Sequence, residues 1–186
     1  MDDPTAAQRI SECGRDLAVA TVPAFTSSAG VHIPTMIAAC ARMAGTYLFR
    51  SFALDVSAAT PGQVVLSVEA GEHTSLLMRT CAAILQSLGT TIASAPPATF
   101  GIGTGQATKT LIETQAILDP LYAPAKAKFD LNDRQMAQAA AVAAGMIVHH
   151  FASFVDPNTG YGIAAIAFAE GSRTMPAPLQ PSAGTA

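Results

Sequence analysis

Charge is what this sequence has least of. Lys and Arg together number 10 and Asp and Glu 13 in 186 residues, a 12% share where soluble domains carry about 25%. With a formal charge of −3 and an isoelectric point near 5.7 there is no basic footprint. That argues against nucleic acid as a partner, because clustered Lys and Arg dominate phosphate binding. Tryptophan is absent, and Cys13, Cys40 and Cys81 are the only cysteines. They are odd in number and form no CxxC pair, so neither a disulfide framework nor a zinc knuckle fits, and they read as small buried hydrophobes. The opening MDDPTAAQRISE carries acids where a secretory leader needs a basic region and an apolar run; the expected location is the cytoplasm.

A convincing membrane span is missing as well. The 21 residues between Arg134 and Asp156, QMAQAAAVAAGMIVHHFASFV, are uncharged and nominally long enough to cross a bilayer. Glutamines and two adjacent histidines interrupt them, and alanine contributes little to insertion. Residues 32–54 are cut by Arg42 and Arg50. Half of the residues are nevertheless hydrophobic, and the surplus is assigned to subunit contact. A homo-oligomer is therefore expected, with a dimer favoured.

What is present is helical pattern almost throughout. A first helix is expected from Asp3 as N-cap and Pro4 at its first position, with Ile10, Cys13, Leu17 and Ala20 on one side, ending in a loop at Pro23. A second runs from Pro34 to about Leu54, with Met36, Cys40, Met43 and Tyr47 on one face. Residues 64–69 alternate like a strand, but no partner strand is evident, so an extended or helical lead-in to a third helix is expected. That helix ends at Gly89. A fourth spans about Gln106 to Leu118, stopped by Asp119-Pro120. Asn132 and Gln135 form a capping-box variant, with Leu131 and Met136 as a hydrophobic staple. They start a fifth helix reaching about Val155, whose core stripe is Met136, Ala140, Ala143, Ile147, Phe151 and Phe154 and whose opposite side is small and neutral. Such a helix is buried on both sides, as the central helix or half of a subunit interface. DPNTGYG breaks it, and IAAIAFAEG is expected as a last short helix, with a buried strand as the alternative.

The expected fold is all-α: a single bundle-like domain, 1–174, of about five to six helices with one long Gly/Pro-rich loop, followed by a flexible Pro/Ala-rich tail, 175–186.

Four features invite a chemical reading. FGIGTGQATKT, residues 100–110, resembles a phosphate cradle in composition, but Lys109 stands four residues after Gly105 where a P-loop needs it directly after. Its G-x-G-x-G spacing also fails the dinucleotide pattern. It reads as a connection that turns sharply. His149 and His150 diverge by about 100° as helix neighbours and cannot readily share one metal. Either could meet His73 or His32 across a bundle to hold a metal or haem. Glu69, Glu72 and His73 share a helix face at i, i+3 and i+4, one imperfect copy of a carboxylate-bundle ligand set. Arg42 and Arg50 lie on one face of the second helix and could clamp a carboxylate or phosphate, or pair with acids such as Asp55 or Glu113.

The functional expectation is a protein acting through a subunit or partner interface, with room for a small apolar ligand between helices. Arg42, Arg50, His149 and His150 are the candidate ligand-binding residues. The alternative is a metal- or haem-dependent helical-bundle enzyme using His73, Glu72, His149 and His150. No cofactor is identifiable from the sequence itself.

Overall fold

Short polar side chains set where the helices begin. In the computed structural model, which describes residues 5–28, 30–52, 54, 59–93 and 107–179, complete capping boxes open three helices. Thr5 with Gln8 starts α1 (Ala6–Ala24), Thr110 with Glu113 starts α4 (Leu111–Lys128), and Asn132 with Gln135 starts α5 (Asp133–His150). Ser67 accepts from the Ala70 amide ahead of α3 (Val68–Ser87), and Asp156 from the Thr159 amide ahead of α6 (Pro157–Arg173). A cap of this kind contributes about 1 kcal/mol. Only α2 (Ile33–Arg50) starts without a side-chain cap, at His32, with a proline in its first turn. Gly89, at φ 79°, follows α3 in the left-handed region that suits glycine. The expected all-α bundle is thus formed, with six helices among the described residues.

Several boundaries differ from expectation. α1 starts at Ala6 with Thr5 as its cap, and Pro23 sits inside its last turn; Asp3 and Pro4 lie outside the described residues. A two-residue hairpin, β1 (Thr26–Ser27) with β2 (Gly30–Val31), follows where a plain loop was expected. α2 stops at Arg50.

The largest departure is α4, which continues through Pro120 and Pro124 to Lys128. An interior proline costs about 3 kcal/mol by removing a backbone bond and crowding the preceding turn. Here both prolines, and Ala116, whose carbonyl loses its partner, lie on the exposed side, where water can replace the missing bonds. Leu118 and Tyr122 are fully buried on the opposite side and hold the helix to the core. α5 ends at His150, so Phe154 leaves the expected core stripe and is 76% exposed. Asp156 and Pro157, expected as breakers, start a helix of 17 residues.

Residues 63–65 are extended after the turn at Gly62, and their partner comes from far along the chain. Val64 pairs antiparallel with Thr174; Val65 N–H donates to the Arg173 carbonyl and Met175 N–H to that of Gln63. Beyond the bridge, Pro176 is buried, Ala177 N–H donates to Gln115 Oε1, and Arg50 donates to the Ala177 carbonyl. Residues 175–177, assigned to a flexible tail by composition, are thereby fastened across α2 and α4.

α5 runs through the middle, packed on α1, α2 and α3, while α2 packs on α5 and α6. Both are buried nearly all round: every residue from Thr35 to Phe49, and Ala139 to Gly145. Small residues permit this. A Cβ on Gly45 would stand 2.5 Å from the Phe168 carbonyl oxygen of α6, and one on Gly14 would stand 2.6 Å from Val142 of α5. The central, double-sided burial expected of α5 is therefore observed within one chain. Among the described residues no helix is long and apolar enough to cross a membrane.

Candidate functional site

The two arginines expected to share one ligand each grip a different acid. Arg42 is 95% buried, and its Nε donates to Glu170 Oε2 of α6 at 2.9 Å. Arg50 donates from both terminal nitrogens to the two oxygens of Asp119 on α4, at 3.1 and 3.2 Å, and its guanidinium lies 5.1 Å from the Tyr47 ring centre. A bidentate pair of this kind fixes orientation as well as charge. Glu113, one of the acids considered, instead closes the cap on Thr110, and Asp55 lies outside the described residues.

The histidines are held apart. His73 Nδ1 accepts from Arg134 Nη2 at 3.2 Å, near the start of α5. His149 shares a 2.6 Å hydrogen bond with Thr90, and its neighbour His150 is exposed, edge-on to Phe151. Fifteen residues of helix between Arg134 and His149 amount to about 22 Å. His73 and Glu72 therefore do not converge with His149 and His150. Among the described residues no group of three His, Cys, Asp or Glu side chains is placed to hold a metal ion.

The thiols are equally removed from reaction. Burial pushes Cys13 and Cys40 up to about 12 and raises Cys81 as well. Cys40 and Thr21 each hydrogen-bond the Tyr122 hydroxyl at 3.1 Å inside the core. Most of the glycine-rich stretch, residues 100–106, lies outside the described residues. Its last part leads into the Thr110 cap, and the Thr108 amide donates to Thr35 Oγ1.

Polar chemistry does gather at one corner, where α2 ends and α3 and α5 begin. A cavity of about 550 Å³ there is lined by Arg50, Ser51, Phe52, Glu69, His73, Asn132, Asp133 and Arg134. The rings of Phe52 and His73 stand 5.9 Å apart. Asp133 is engaged by Lys126, and Arg50 by Asp119. Arg134 and Glu69 take part in none of the ion pairs among the described residues. Next to Arg50, the fully buried Tyr47 hydroxyl has no hydrogen-bond partner among them either. Burial first, and then the Asp119 carboxylate, raises its pKa. Of the residues singled out from the sequence, Arg50, Glu69 and His73 reach this cavity. Arg134 and Phe52 were missed, although Arg134 marks the start of the uncharged run of 21 residues.

A second feature is apolar. Val64 and Leu66 lie on the extended segment before α3 and Val68 opens the helix; they are 63%, 84% and 72% exposed. Because the amide of 65 and the carbonyl of 63 point toward residues 173–175, the amide and carbonyl of Val64 point to the opposite edge, where none of the described residues pairs with them. The segment thus presents an apolar side and a strand edge together.

Comparison with protein-family models, curated proteins and solved structures finds no match to this chain.

Proposed function

We propose that this chain is a cytoplasmic helical protein that acts through an interface with a second copy of itself, formed by the strand edge at Val64 and the exposed apolar side chains of Val64, Leu66 and Val68. The observation that carries this reading is the coincidence of three exposed apolar side chains with an outward-facing strand edge. Open edges are pairing sites unless charge, proline or cover protects them. None of residues 62–68 is charged, so two copies can meet antiparallel about a two-fold axis without opposing like charges. Three free thiols support a reducing compartment.

Magnitudes favour a weak, reversible contact. Burying each of the six side chains in such a pair is worth about 2 kcal/mol, set against an association cost of about 4–15 kcal/mol. Backbone pairing then decides whether the complex persists. Sedimentation equilibrium tests the proposal. A two-chain species should form below about 1 mM, and Leu66→Lys should reduce it to one chain with an unchanged circular dichroism spectrum. A one-chain mass throughout, or a dimer indifferent to Leu66→Lys, would contradict it.

A further inference from the structure

We infer that the cavity at the corner of α2, α3 and α5 binds a small zwitterion bearing one carboxylate and one ammonium group, of the size of a free amino acid. The inference is independent of the proposed self-association. Its basis is an unspent pair of opposite charges facing one space. Arg134 and Glu69 both line the cavity, and neither belongs to an ion pair among the described residues. The other charges in the wall are already engaged, Arg50 by Asp119 and Asp133 by Lys126.

The positive end is built for a carboxylate. Since a guanidinium only donates, the Arg134 contact makes His73 Nδ1 the acceptor, so the neutral ring carries its proton on Nε2 as a further donor. At the start of α5 the Gln135 amide is taken by Asn132 Oδ1 and the Asn132 amide by Gln135 Oε1. The amides of Asp133 and Arg134, the first two of the helix, have no acceptor within it. They add donors and the positive end of the helix dipole beside the guanidinium.

Glu69 decides between ligand classes. A bare anion such as phosphate would gain Arg134 but face Glu69, whereas an ammonium group on the same ligand turns that carboxylate into a partner. Phe52 supplies an apolar wall for a carbon skeleton. The volume of about 550 Å³ falls within the usual range of small-molecule sites.

Titration calorimetry on the full chain tests this with L-α-amino acids of increasing side-chain size, their N-acetyl derivatives, the corresponding decarboxylated amines and inorganic phosphate. At least one amino acid should bind, and both its N-acetyl derivative and its amine should bind roughly tenfold or more weakly. Arg134→Gln should weaken the amino acid by a similar factor. Glu69→Gln should weaken the amino acid but not its N-acetyl derivative. Both residues are exposed, and an unchanged melting curve for each variant confirms that folding is not what was lost. No binding of any amino acid up to about 10 mM, phosphate binding more tightly than all of them, or affinity unaffected by Arg134→Gln would overturn the inference.

Discussion

Thr110 and Glu113 hold each other across the first turn of α4, and the arrangement has a measurable pH signature. Glu113 Oε2 accepts from the Thr110 amide at 2.7 Å and from its hydroxyl at 2.8 Å. These bonds, the backbone one foremost, favour the ionised carboxylate and hold Glu113 below its ordinary value. A depressed folded-state pKa means that this contribution to stability is complete above the ordinary glutamate range and is lost as pH falls through the folded value. In an NMR titration, Thr110→Ala removes the hydroxyl bond and leaves the backbone one, so the Glu113 midpoint should move upward only part of the way to its ordinary value; an unmoved midpoint would remove the hydroxyl as a cause. The thiols make a second residue-scale prediction. With Cys40 and Cys13 pushed up to about 12 by burial, iodoacetamide at pH 8 should label none of the three cysteines until denaturant unfolds the chain. Caps such as Asn132 with Gln135 were legible in the sequence because both partners lie within one turn. The acids that hold Arg42 and Arg50 were not, since Glu170 and Asp119 are separated from them by 128 and 69 residues.

Helices meet here wherever a side chain is missing. Gly45 brings α2 against α6, and adding a methyl group would put it 2.5 Å from the Phe168 oxygen and 2.6 Å from the Ser172 nitrogen. Backbone cannot swing aside as a side chain can, so Gly45→Ala should destabilise by roughly 1–3 kcal/mol despite alanine's higher helix propensity. Gly71 in α3 is the converse, with open space around its missing Cβ. Gly71→Ala should stabilise by about 0.5–1 kcal/mol, and thermal melts of the two variants should shift in opposite directions. The same scale explains what local pattern could not show. Pro120 ends a helix by rule, but burial of Leu118 and Tyr122 on the far side of α4 carries the helix past it. Asp156-Pro157 served equally well as a stop or a start, and only the Thr159 amide bonded to Asp156 distinguishes the two.

For the whole molecule, the scarcity of charge has an explanation inside one chain. α2 and α5 are enclosed by neighbours on nearly every side, and a helix so enclosed needs no polar face. Composition therefore no longer demands a subunit contact, and the case for one rests on the strand edge. The sequence showed the alternation of residues 64–68 but not the edge, because residues 173–175, which pair with its other side, lie 110 positions away. The polar corner was half legible for a related reason: Glu69 and His73 share one helix, whereas Arg50 and Arg134 arrive from two others.

Amide hydrogen exchange at Val64, followed as protein concentration rises, tests the proposed self-association at the strand edge most directly. The Val64 N–H should exchange freely in dilute solution, where its edge is open, and become protected over the concentrations at which sedimentation shows two chains, with Leu66→Lys abolishing the protection. Rapid exchange at every concentration, or protection that does not change with concentration, would contradict the account.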